Sequence, residues 1–109
     1  MNIKPNFVCG TPGKLFTGTQ IANAKNVLDE VLDERKSQHF KWGEQTHSPE
    51  SWLTVLVEEV GEVAHAINEG YVLGYREELI QTAAVCVAMV ESLDRQRLEE
   101  LRCQNESSK

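Results

Sequence analysis

Cysteine, proline and aromatic residues are all scarce in this chain of 109 residues. The three cysteines, Cys9, Cys86 and Cys103, are an odd number and lack Cys-x-x-Cys spacing, which argues against a disulfide-stapled scaffold or a structural zinc site. A reducing cytoplasm is the expected compartment. Cys86 stands among Val and Ala and reads as a small buried hydrophobe. Basic residues are also few, with 11 Lys+Arg against 17 Asp+Glu and a net charge of -6. Binding to a phosphate backbone needs a dense basic face, so nucleic acid is not an expected partner. No apolar run reaches bilayer length, the longest uncharged one being Leu79 to Val90, and Met1 to Phe7 lacks the apolar core of a signal peptide. Neither membrane insertion nor export is expected. No stretch alternates with period two, and no repeat or low-complexity segment stands out.

What is present is helical punctuation. Residues 1–18 hold two of the three prolines and three of the seven glycines, the composition of an extended arm. Within it Gly10-Thr11-Pro12-Gly13-Lys14 lacks the full spacing of a phosphate loop, and Leu15 stands where Ser or Thr is required. From Thr19, the spacing of Ile21, Ala24, Leu28, Val31 and Arg35 predicts an amphipathic helix to about Phe40, with Gly43 as its stop. Lys41 to His47 then forms a loop. Ser48 as N-cap and Pro49 at the first helical position open a second helix that runs to about Glu69. Its stripe is Leu53, Leu56, Val60, Val63, Ala64 and Ile67, and Gly70 ends it. After a turn at Tyr71 to Gly74, a third helix runs from near Tyr75 to about Leu93. It carries no charge between Glu78 and Glu91, so it needs cover on most sides. A short helix at Arg95 to Arg102 and a polar tail from Gln104 to Lys109 complete the chain. The expected fold is an all-α bundle of three main helices plus a short C-terminal helix, spanning residues 19–103. At this size an isolated domain is marginal, so a homodimer or homotetramer is expected to complete it.

The informative cluster is acidic. Glu58, Glu59 and Glu62 interrupt the apolar run Val57 to Val63, and Glu77-Glu78 opens the uncharged stretch of the third helix. Spacings of three and four residues put Glu59 with Glu62, Glu58 with Glu62, and Glu78 with Gln81 on shared helix faces, where like charges repel and invite a cation. If the second and third helices pack antiparallel, Glu59, Glu62, Glu78 and Gln81 converge on one metal site. A hard ion such as Mg²⁺, or Mn²⁺, takes oxygen ligands and completes its shell with waters and substrate phosphates. The competing reading is a solvated acidic face.

Glu58-Glu59-Val60-Gly61-Glu62, followed after a helix and turn by Glu77-Glu78-Leu79-Ile80-Gln81, resembles the MazG-like members of the all-α nucleoside triphosphate pyrophosphohydrolases over roughly residues 20–93. The resemblance implies a helical, oligomeric, Mg²⁺-dependent enzyme that hydrolyses nucleoside triphosphates to a monophosphate and pyrophosphate. It implies Glu59, Glu62 and Glu78 as metal carboxylates and matches Glu58 to the start of the family's motif. Gln81 departs from it, because the motif usually ends in aspartate. An amide oxygen can still ligate but brings no charge. In such a site Glu58 or Glu59 activates a water, and Lys41 and Arg76, in the loops flanking the helices, hold distal phosphates.

Around the first loop lie His39, Phe40, Trp42, Gln45, His47 and Trp52. Rings stack on bases and polar side chains read base edges, which makes Trp42, His39 and Gln45 candidates for the nucleobase, while Phe40 and Trp52 are read as closing the end of the bundle. His65 is read as solvent-facing. The alternative from the same residues is a non-catalytic oligomeric module that binds nucleotide or metal.

Overall fold

The computed structural model describes residues 14–107. The predicted arm therefore lies outside the described residues except for its last part. The described residues form three α-helices and no strand, so the fold is all-α.

α1 spans Gly18–Trp42. Its start is a capping box: the Thr17 hydroxyl accepts from the Gln20 amide at 3.1 Å, and the Gln20 side chain accepts from the Thr17 amide at 2.8 Å, which satisfies two orphan donors. Its stop is Gly43, at φ 72° and ψ -168°, a backbone region reserved for glycine. α2 spans Pro49–Asn68, with the Ser48 hydroxyl accepting from the Ser51 amide at 3.2 Å and Pro49 in the first turn. Gly70, at φ 69°, turns the chain.

α3 spans Val72–Ser107, 36 residues without interruption. The separate short helix and the frayed start of the tail predicted after Asp94 are instead its last turns. Aspartate inside a helix costs only about 0.7 kcal/mol, and the Arg, Gln, Leu and Glu residues that follow it are good helix formers. Its first turn also begins earlier than predicted. Lys41 and Arg76, expected in loops, are both helical.

α3 is a spine of about 54 Å with α1 and α2 laid against it. The backbones of α1 and α2 do not meet directly, and a groove lined by both remains between them. The core on the α2 side is Trp52, Val85 and Ala88, flanked by Val55, Leu56 and Met89. Buried Ala84, Ala88 and Ser92 recur every four residues along α3, a ridge of small side chains that lets its neighbours close in.

The buried face of α2 shares only Leu56 and Val63 with the predicted stripe. It carries Trp52, Val55, Leu56, Glu59, Val63 and Ala66, all wholly or partly buried, whereas Leu53, Val60 and Ile67 are more than half exposed. α2 carries two apolar stripes, and Trp52 decides which of them turns inward, because a fully buried aromatic outweighs a branched aliphatic in area. Cys86, expected in the core, is exposed.

Candidate functional site

The groove between α1 and α2 is a cavity of about 260 Å³. α1 contributes Arg35, Gln38 and Trp42 to it, α2 contributes Trp52, Val55, Glu58 and Glu59, and Val85 and Ala88 of α3 form the floor. Gly43 and Gln45 close one end. Apolar walls with a few polar groups are the usual make-up of a small-molecule site.

Glu59 is the centre of the acidic cluster. Partial burial, followed by the charges of Glu78, Glu62, Glu34 and Glu58, raises its carboxyl above the usual glutamate range. Glu78 is raised as well, by burial first and then by Glu62 and Glu77. One oxygen of each, Glu59 Oε2 and Glu78 Oε2, is buried without a hydrogen-bond partner. Buried carboxylate oxygens are normally satisfied. Carboxylates of all three helices thus act on Glu59, with Glu34 of α1 a participant that sequence spacing missed. Nothing local marks Glu34, since its relation to Glu59 exists only once α1 and α2 are laid on the same spine.

Glu59 and Glu78 are the carboxylates that could hold a divalent cation, since Mg²⁺ is commonly held by one or two carboxylates with waters and phosphates in the remaining positions. Among the described residues no group of three or more His, Cys, Asp or Glu side chains is arranged to hold a metal ion. Glu62 and Glu78 line a second depression with Glu77, between α2 and the start of α3. Gln81 lies toward α1, in a depression shared with Glu30, Asp33, Glu34 and Arg76, and its carbonyl accepts from Gln38 Nε2 at 3.5 Å.

The residues expected at the base end separate. Trp42, 60% exposed, and Gln45 line the groove with Glu58 and Glu59. Lys41 sits over the Trp42 ring at 5.9 Å. His39 is exposed and outside the groove lining; its carbonyl accepts the Gly43 amide at 2.8 Å. Trp52, 5% exposed, is a core residue whose ring meets His47 edge-on at 4.9 Å. Phe40, expected with Trp52 at the end of the bundle, is 92% exposed. Arg76 is engaged in a two-point ion pair with Glu30.

Three interactions that the sequence did not disclose hold the groove open. Arg35 donates to Glu91 through Nε at 2.6 Å and Nη2 at 3.3 Å, fastening α1 to α3. Arg95 Nη2 donates to the Gln45 carbonyl at 2.8 Å, and its Nε lies 3.0 Å from Glu44. Gln96 Nε2 donates to the His47 carbonyl at 3.4 Å. The last two tie the loop between α1 and α2 to α3 and so fix Gln45 beside Trp42. No family model, no curated protein and no solved structure matches this chain.

Proposed function

We propose that the chain is a metal-dependent nucleoside triphosphate pyrophosphohydrolase of the MazG-like kind, splitting an NTP or dNTP into a monophosphate and pyrophosphate. The observation that carries this reading is the pair of buried, unpartnered oxygens on Glu59 and Glu78, beside a groove that also holds Trp42 and Gln45. Two orphaned anions next to a stacking surface are what a ligand made of phosphates, a metal and a base requires.

Glu59, Glu62 and Glu78 would hold Mg²⁺ or Mn²⁺, which when bound supplies positive charge to the triphosphate. Glu58 opens into the groove and accepts the proton of the attacking water. The water oxygen bonds to the α-phosphorus, the bond from that phosphorus to the bridging oxygen breaks, and pyrophosphate leaves. Trp42 stacks on the base and Gln45 bonds its edge. Lys41 sits over the Trp42 ring and Arg76 is paired with Glu30, so either would have to leave that contact to hold a phosphate.

The test is pyrophosphate release from a panel of ribo- and deoxyribonucleoside triphosphates with Mg²⁺ or Mn²⁺. Glu62→Ala is expected to lower turnover at least hundredfold while keeping the parent's helical circular dichroism; undiminished turnover in that variant would sink the proposal. A second reading, a nucleotide- or metal-binding module without chemistry, is favoured by Gln81, which is uncharged and lies on the α1 side of α3. It predicts binding with no pyrophosphate released.

A further inference from the structure

Arg35 is the one cationic side chain among the residues lining the groove. Its side chain is 12% exposed, and both contacts to Glu91 come from α3. On α1 it precedes Gln38 by three residues and Trp42 by seven, so the three line one helix face over a rise of about 10 Å. That rise is the length of a nucleoside with its first phosphates. A base stacked on Trp42 places its sugar beside Gln38 and its phosphates at Arg35, next to the acidic cluster. Guanidinium groups bind phosphate in the same two-point geometry in which they bind carboxylate, and Glu91 occupies that geometry here.

Resting on the proposed function, we infer that Arg35 grips the phosphates of the bound triphosphate and that Glu91 holds the arginine in place until the phosphates displace it. Glu91 is 43% exposed on its side chain, so it can turn to solvent when displaced. Its carboxylate competes with the ligand for one guanidinium. A purely structural strap predicts that breaking the pair from either side has the same consequence. Competition predicts opposite consequences.

The experiment is calorimetric titration of the full chain, Arg35→Gln, Arg35→Lys and Glu91→Gln with the α,β-imido analogues of ATP and dUTP in Mg²⁺, and with adenosine and deoxyuridine as phosphate-free probes. Arg35→Gln is expected to weaken triphosphate binding about ten- to hundredfold, the worth of a charge-assisted contact, and Arg35→Lys to recover part of it. Glu91→Gln is expected to tighten binding by up to about fivefold, because a half-exposed ion pair is weak. Nucleoside binding is expected to be the same in all four proteins. Weaker triphosphate binding in both Arg35→Gln and Glu91→Gln, or an unchanged Arg35→Gln, overturns the inference while leaving the proposed function standing. A parent chain that binds neither triphosphate overturns both.

Discussion

Glu59 carries a conflict that the helix alone does not explain. It lies on the buried face of α2, it is surrounded by Glu34, Glu58, Glu62 and Glu78, and its carboxyl titrates above the usual range for that reason. A raised carboxyl value means that the folded state holds the proton more tightly than the unfolded chain does. The associated stability is present below the ordinary glutamate value and is lost as pH rises through the raised one. At neutral pH without metal, then, the ionised group works against folding. Glu59→Gln is expected to be more stable than the parent at pH 7 by about 0.5 kcal/mol, the scale of one like-charge helical contact. The difference is expected to shrink as pH falls through the raised value and to be gone below about 4, where the parent's carboxyls are protonated in both states. Denaturant unfolding of both proteins across pH in a chelator checks this. Adding Mg²⁺ is expected to reverse the order, because a cation bound only by the folded parent stabilises it. A variant less stable than the parent at pH 7 in chelator would show that the carboxylate has a partner already.

At the scale of the element, two glycines make a paired prediction. Gly43 ends α1 in a conformation other residues rarely adopt and borders the groove. Gly43→Ala is expected to cost about 1–3 kcal/mol and to weaken ligand binding, since the strain falls on the turn between Trp42 and Gln45. Gly61 lies mid-helix, and an added Cβ there meets nothing within 4 Å. Gly61→Ala is expected to add about 0.5–1 kcal/mol. Thermal melts of the two variants decide it; equal effects would mean that local backbone preference does not govern these positions. The same locality explains what the sequence discloses. The Ser48-Pro49 start and the Gly43 and Gly70 stops depend on neighbouring residues only, and they are legible. The length of α3 is not, because Asp94 is too mild a breaker to count against the helix formers after it. Which stripe of α2 turns inward is not legible either: both stripes satisfy helical spacing, and the choice is made by Trp52 against Val85 and Ala88 of α3. Arg35 reads only as one more position in the spacing of the first helix until Glu91, 56 residues away, is placed beside it.

The whole molecule is longer and more open than its length requires. Its radius of gyration is 18.3 Å, against about 13 Å for a compact domain of this size. The excess comes from α3 and from the separation of α1 and α2, and it leaves apolar surface in water. On α2 the exposed Leu53, Val57, Val60 and Ile67 recur at helical spacing, as do Leu79, Cys86, Val90 and Leu93 on α3. Two helix faces of about 21 Å by 10 Å amount to roughly 400 Å², about half of the ~800 Å² each partner contributes to a standard interface. Apolar patches of a few hundred Å² often mark an interaction site. The chain is therefore expected to run as a dimer or larger species in light scattering, and Val60→Glu to shift it toward the monomer. A monomeric parent would refute the expectation. Val60 is one residue from Glu59 but on the opposite stripe, so the variant also separates assembly from the groove. Triphosphate binding retained in a monomeric Val60→Glu chain means that one chain completes the site, whereas binding lost together with assembly means that a second chain supplies part of it.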